Sequence, residues 1–242
     1  MSSPFFRQAL EDKGFFWRQE NLFGKEAQER LQEVKVLIVG LGGLGSCVAE
    51  TLVRLGIGGL YLMDPGVVNL PDLNRQILYS QKDIGRSKTE AACERLSHIR
   101  PDVGLFPIPE PITRDFVPYD DTIGVVDCLD NFQDRFTLDE ICQEQGLFLV
   151  HGGLDGLFGQ VTTLLPHTRP RLRALFQGAK EPELPPPAAA PICMAMASIQ
   201  ALEVVNQVIG KDDSDTLVGK LLLLDLAGYR MDILNLQVDK DQ

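Results

Sequence analysis

The run KVLIVGLGGLGS, Lys35 to Ser46, decides the fold. Val34 to Val39 is apolar, largely β-branched and bounded by glycine. Such a run marks a strand covered on both faces of a parallel sheet. Gly40, Gly42 and Gly45 keep the G-x-G-x-x-G spacing, and Ser46 to Leu55 reads as a helix closed by Gly56. Leu60 to Met63 is the next apolar run and ends at Asp64. Strand, glycine turn, helix and strand make a right-handed βαβ unit of about 30 residues.

Outward from this unit the alternation continues. Residues 25–33 before it read as an exposed helix. Ser87-Lys88-Thr89-Glu90 has the capping-box pattern, predicting a helix to about Ile99 that stops before Pro101. Gly104 to Pro107 and Gly124 to Val126 read as strands three and four. Asn131 is placed to cap a helix reaching Gln145, and Leu147 to Val150 is the fifth strand. The second half changes character. Gly159 to Leu165, Leu221 to Asp225 and Met231 to Leu236 read as strands, and Met194 to Ile209 as a helix ended by Gly210. Pro166 to Pro191 is rich in proline and alanine without periodicity. The expected fold is α/β: a doubly wound, Rossmann-like, mostly parallel sheet with an added antiparallel C-terminal part and a long crossover loop. It forms a single domain over 1–242. A nucleotide-binding half covers about 34–150, and a second half covers about 151–242 with a mobile loop at 166–190.

Composition narrows the function. The chain has 242 residues, 44% of them hydrophobic, so it can bury one substantial core. Its net charge of -11 opposes general binding to nucleic acid or to an acidic membrane. The N-terminal MSSPFFRQALEDKGFFW lacks a basic start followed by an apolar run, so no signal peptide is expected. Apolar stretches fall short of the roughly 20 residues a membrane helix needs, so no membrane partner is expected. Five cysteines, Cys47, Cys93, Cys128, Cys142 and Cys193, are scattered without a C-x-x-C pair. That favours reduced thiols in a cytoplasmic setting.

The glycine loop offers unpaired N–H groups and a helix dipole to a phosphate. Asp64, just past the second strand, can accept ribose hydroxyls. This motif alone leans to NAD. The sequel, DPGVVNLPDLNRQIL from Asp64 to Leu78 and GRSKTEAACERL from Gly85 to Leu96, brings Arg75, Gln76 and Lys88 after the loop. A nicotinamide site has no need of dense cations beside the pyrophosphate. Cleavage of ATP at its α-phosphate does, because charge builds on the phosphoryl oxygens and the leaving group. Arg75 offers a fork of donors, Gln76 a neutral one and Lys88 a point charge. Taken singly, such an arginine is more often a salt-bridge residue and such a lysine more often solvated. Asp127 and Asp130 follow the fourth strand at the ligand end of the sheet. Asp130 is the expected Mg²⁺ ligand, with phosphate oxygens completing the shell. Asp127 is left as a structural acid, and the plain alternative is that both acids cap the helix after Asn131. His98, His151 and His167 have no ligand spacing and read as structural or exposed.

Seven segments in order, FWRQENLFG, VLIVGLGGLGS, LNRQILY, IGRSK, VVDCLDNFQDRF, GLFGQV and SIQALE, carry a resemblance. From about Phe15 to Met231 the chain resembles the ThiF/MoeB/HesA family, bacterial relatives of ubiquitin-activating enzymes. The resemblance implies an adenylyltransferase that binds MgATP and the Gly-Gly C-terminus of a small ubiquitin-like sulfur-carrier protein. It would form an acyl-adenylate, release pyrophosphate and prepare a thiocarboxylate. By motif position, Gly40, Gly42, Gly43, Gly45, Asp64, Asp72, Gln76 and Asn131 fall on the ATP site, with Arg75, Lys88 and Asp130 as catalytic groups. Arg18 falls on an arginine that such homodimers insert into the neighbour's site.

The chain departs from the family in several places. Many relatives hold a structural zinc with two C-x-x-C pairs. Here Pro170-Arg171-Leu172-Arg173-Ala174 stands in place of the first, and no second pair precedes Gln242. No zinc is therefore expected. No cysteine lies in 166–190, and Cys193 reads as a packing residue at a helix entrance, with a covalent role as the lesser option. A separate sulfur donor is implied. Gly66 stands where relatives carry a second acid and Asp72 where they carry asparagine. An acid there lies unfavourably beside phosphate. Two other readings stay open: a tRNA-acting relative of the threonylcarbamoyladenosine dehydratases, and a nucleotide- or carrier-binding module without turnover.

Overall fold

Strand β1 (Lys35–Val39) runs through the middle of an eight-stranded sheet in the computed structural model, which describes residues 14–181 and 186–236. The other strands are β2 (Gly59–Met63), β3 (Gly104–Ile108), β4 (Thr122–Asp127), β5 (Phe148–Asp155), β6 (Phe158–Leu164), β7 (Lys220–Asp225) and β8 (Arg230–Asn235). Their order is β3-β2-β1-β4-β5-β6-β7-β8. The first five are parallel and the last four pair antiparallel, with β5 belonging to both groups. The expected mostly parallel sheet with an antiparallel addition is the observed one. The reading of MSSPFFRQALEDK falls outside the described residues, as do 182–185 of the crossover.

Both faces of the parallel part are covered, as its unbroken apolar strands require. Val36 and Ile38 point to one side, into a core completed by helices α2 (Lys25–Glu33), α3 (Gly43–Leu55), α4 (Lys88–Ser97) and α7 (Ala190–Ile209). Leu37 and Val39 point to the other, where α5 (Phe132–Glu144) supplies Leu138, Ile141 and Cys142 and α6 (Leu172–Leu175) supplies Leu172. A short helix α1 (Trp17–Phe23) precedes α2. α2 is not wholly exposed: Gln28 and Leu31 are buried.

Several expectations need correction. The first part of the 166–190 segment packs against the second core. Leu172 is fully buried in the second core, and the Arg171 guanidinium pairs with Asp139 on α5. Burying one leucine contributes about 1.5–3 kcal/mol toward holding this turn against the core. α7 begins at Ala190, four residues before the expected Met194, because Pro191 sits in its first turn, where a missing N–H costs nothing. The resulting 20-residue helix is long and apolar enough to cross a membrane by length and composition, contrary to the sequence expectation. It packs instead in the core against α3, β5 and β6, and it buries Gln200, Glu203 and Asn206. Glu203 accepts from Thr163 Oγ1 (2.6 Å) and Leu217 N (2.8 Å), so its carboxylate is satisfied there. α4 starts at Lys88, but the capping box is not formed: the Ser87 hydroxyl meets Thr89 Oγ1 at 2.9 Å instead. Reciprocal boxes close two 3₁₀ turns, Asn69 with Asp72 and Ser80 with Asp83.

Gln200 bolts two parallel strands together from α7. Its amide nitrogen donates to Asp127 O (2.9 Å) and Val150 O (3.3 Å). Gly152 makes room for it, since a Cβ there would stand 2.5–2.6 Å from the Gln200 amide atoms.

Candidate active site

The strand order reverses between β1 and β4, and in doubly wound sheets the ligand crevice lies at that point, beyond the carboxyl ends of the strands. The glycine loop leaves β1 here. Gly40 has φ +90° and donates to Met63 O (2.8 Å). A Cβ on Gly45 would sit 1.8 Å from Gly40 O, so the third glycine lets α3 close on the loop. Gly42 caps α3 with no side chain to satisfy the first N–H groups, which leaves them for a ligand anion. Between them Leu41 is clamped at both main-chain groups. Its N–H donates to Asp64 Oδ2 (2.7 Å), and its carbonyl accepts from the Tyr79 hydroxyl (3.0 Å).

A cleft of about 480 Å³ opens over this loop, a size typical of small-molecule sites. Asp64 borders it, and its second oxygen accepts from Gly66 N (2.7 Å). A Cβ on Gly66 would lie 2.9 Å from that oxygen, so glycine in place of the expected second acid permits this close contact. Arg75, Gln76 and Lys88 line the cleft beside the glycine loop and Gly66, together with Asp72. Asp72 organises them: it accepts from Gln76 Nε2 (2.9 Å) and lies 4.0 Å from Arg75 and 3.9 Å from Lys88. The acid is thus partnered by two cations, which answers the expected conflict with phosphate. Arg75 also donates to Pro71 O (3.0 Å) and Asn74 Oδ1 (3.1 Å). Gln76 Oε1 is buried with no hydrogen-bond partner, an atom that a donor in the cleft would satisfy.

The loop after β4 forms the far wall. Asp130 is exposed to the cleft, and its carboxylate has no partner among the described residues. Asn131 lines the cleft but both ends of its side chain engage Asp134, accepting from its N–H (2.8 Å) and donating to its carboxylate (2.9 Å). Its seat is that of a helix cap, as its position before α5 predicts. The crossover reaches the same place: Glu181 accepts from Phe132 N (3.1 Å) and Gln133 N (2.7 Å). A second cavity of about 340 Å³ continues past Asp130 and Arg135 toward Phe158, Gln160 and Lys180.

Asp127 and His151 were not joined by sequence reasoning. Both are fully buried and paired, His151 Nδ1 to Asp127 Oδ2 at 2.6 Å. Strand register alone brings them side by side. Burial raises the Asp127 carboxyl, but Arg135 and His151 outweigh it and hold it below its ordinary value. Burial pushes His151 below its ordinary value. The pair is therefore a carboxylate and a neutral imidazole. Cys193 is fully buried beside Gly43, where burial pushes its thiol up despite nearby Arg75, so its place is that of a packing residue.

Arg18 does not join the cleft. It is exposed on α1, whose Gln19 donates to Leu55 O at the far end of α3 from the glycine loop. A 13-residue helix spans about 20 Å, which separates Arg18 from the cleft. Among the described residues no group of three or more His, Cys, Asp or Glu side chains is placed to hold a metal ion. One carboxylate beside phosphate oxygens is nevertheless a fitting donor set for Mg²⁺, which takes few protein ligands.

A doubly wound sheet whose glycine loop shares one cleft with Arg75, Gln76 and Lys88 has the architecture of nucleotide-binding enzymes. The chain belongs to the ThiF family, whose model matches residues 16–242, and it is an adenylyltransferase. It is 34% identical over 215 residues to the SAMP-activating enzyme E1 of Haloferax volcanii, covering 84% of this chain and 76% of that protein. It is 33% identical over 208 residues to the sulfur carrier protein ThiS adenylyltransferase of Escherichia coli, covering 83% and 81%. Among solved structures, E. coli MccB shares the fold with a TM-score of 0.82 at 19% identity, over 93% of this chain and 72% of that one.

Proposed function

We propose that the protein uses ATP to adenylate the C-terminal Gly-Gly carboxylate of a small ubiquitin-like sulfur-carrier protein. The observation that carries this reading is the row of Arg75, Gln76 and Lys88, gathered on Asp72 beside the glycine loop in one cleft. A carboxylate oxygen of the tail attacks the α-phosphorus. The bond from that phosphorus to the oxygen bridging to the β-phosphate breaks, and pyrophosphate leaves with the electron pair. Arg75 and Lys88 stabilise the charge that grows on the phosphoryl oxygens, and the free N–H groups of α3 take a phosphate. Asp130 would hold Mg²⁺, which when bound neutralises phosphate charge. Sulfide-level sulfur (HS⁻) from a separate donor then attacks the activated carbonyl, the acyl–oxygen bond breaks, AMP leaves with the electron pair, and a thiocarboxylate results.

In this reading the whole chain is one adenylation domain, with nucleotide contacts in the half before about residue 150 and carrier contacts after it. The second cavity, continuous with the first, has room for an extended tail. The working form is a homodimer, supported by the distance of Arg18 from its own cleft. A cytoplasmic setting is supported by five free thiols.

Isotope exchange between pyrophosphate and ATP tests the proposal. Exchange that requires a carrier with an intact Gly-Gly tail, and is lost in Asp130→Ala, is expected. Exchange that requires tRNA, or ATP binding with no exchange for any Gly-Gly carrier, would overturn it.

A further inference from the structure

We propose that His151 and Asp127 are a positioning pair that sets Asp130 for the magnesium–nucleotide complex, an inference that rests on the role given to Asp130 above. The two loops at the strand-order reversal are built alike. In the first, Leu41 is held at its N–H by Asp64 and at its carbonyl by Tyr79. In the second, Leu129 is held at its N–H by Asp127 Oδ1 (3.0 Å) and at its carbonyl by the Arg135 guanidinium. Asp130 is the next residue, exposed, and its carboxylate has no hydrogen-bond or ion-pair partner among the described residues. Its place therefore depends on main-chain bonds made one residue earlier.

Those bonds depend on His151. Asp127 has two carboxylate oxygens: one takes Leu129 N–H, and the other takes the imidazole Nδ1–H at 2.6 Å. With the carboxylate ionised, Nδ1 is the donor, which fixes the tautomer. Arg135 Nη1 lies 3.4 Å from both ring nitrogens, so the imidazole also spaces the guanidinium from the carboxylate. Phe176, from the end of the crossover turn, closes over the ring at 5.3 Å between centroids and keeps water out. Remove the imidazole donor, and Asp127 is a buried carboxylate short of one partner, with a guanidinium close by. The least costly repair is rotation toward Arg135, which frees both Leu129 N–H and Leu129 O and lets Asp130 move.

The test uses the full chain, with ATP binding measured by calorimetry in chelator and across a magnesium titration. His151→Leu is expected to bind ATP in chelator within about twofold of wild type. It should need about 10- to 100-fold more magnesium for half of the tightening, the usual penalty for losing a partner behind a metal ligand. His151→Asn, whose amide N–H can stand near the Nδ1–H position, is expected to restore the wild-type requirement. In an Asp130→Asn background His151→Leu should add nothing. If the leucine variant does not fold, His151→Gln carries the same expectation, since its donor falls at the wrong ring position. A melting temperature that drops while the magnesium requirement stays put would overturn the pair, as would full additivity with Asp130→Asn. Wild-type ATP binding indifferent to magnesium would overturn the role of Asp130 itself. The carrier protein is absent from these measurements, so they stand apart from the choice of substrate.

Discussion

Gly42→Ala and Gly45→Ala should part binding from folding. A Cβ on Gly42 meets only Gln76 Nε2, at an ordinary 3.8 Å, and the residue has φ -76°. Alanine therefore meets no packing obstacle, and stability should fall far less than in Gly45→Ala. Its methyl, however, projects into the cleft where phosphate must approach the α3 N–H groups. Losing one charge-assisted hydrogen bond costs about 1.5–3 kcal/mol, or roughly a 10- to 150-fold weaker Kd for ATP. Gly45→Ala is the reverse case. Its methyl would lie 1.8 Å from Gly40 O, 2.8 Å from Gly40 C and 3.3 Å from Cys128 Cβ. Backbone is in the way, so α3 must slide off the loop, at the upper end of overpacking costs, about 3 kcal/mol. For a chain of this size that lowers Tm by roughly 6–12 °C. Calorimetric ATP titration and thermal melting of both variants supply the four numbers. A Gly42→Ala variant that binds ATP like wild type, or a Gly45→Ala variant that melts like wild type, would refute the steric reasoning.

Three further outcomes follow from the same structure. Arg171→Met leaves the buried Asp139 carboxylate unpaired and should cost about 3 kcal/mol, with faster proteolysis at 177–181; adding Asp139→Asn should recover most of the loss in a melting assay. His151 is held neutral below its ordinary value of 6.5, so the unfolded chain takes up a proton that the folded one refuses. Stability should fall as pH drops below 6.5 toward the depressed folded value, and His151→Asn should flatten that part of a Tm profile between about pH 5 and pH 8. Mixing inactive Arg18→Ala with inactive Asp130→Ala should return about a quarter of wild-type exchange, since half of randomly mixed dimers would carry one complete site. No recovery would place Arg18 outside the partner's cleft.

The parts legible in the sequence are the local ones. The β1 turn, the left-handed Gly56 at φ +99° and the Asn131 cap each depend on residues within a few positions, and all three stand as expected. Arg75, Gln76, Lys88 and Asp130 were also legible, because their loops all return to one end of a parallel sheet. What was hidden depends on partners far along the chain. Asp127 and His151 are 24 residues apart and meet only when β4 and β5 pair. Arg171 and Asp139 meet only when the crossover turn packs on α5. Asp72 looked unfavourable from composition alone, since nothing local shows Arg75 and Lys88 converging on it. Ser87 had the right pattern but found a nearer hydroxyl, and the helix expected from Met194 opens earlier, at Ala190, with Pro191 in its first turn.

The Gln200 bolt sets the order in which this protein becomes competent. The floor under Asp130 includes the Asp127 carbonyl, and that carbonyl is tied by an amide 73 residues later. During synthesis the glycine loop, Arg75, Lys88 and Asp130 emerge long before α7 does. A chain halted before residue 200 would display Arg75, Lys88 and Asp130 on a wall not yet fastened to its neighbour. Since domains fold as units while the ribosome extends them, the ATP cleft reaches its working shape only when the final helix has docked.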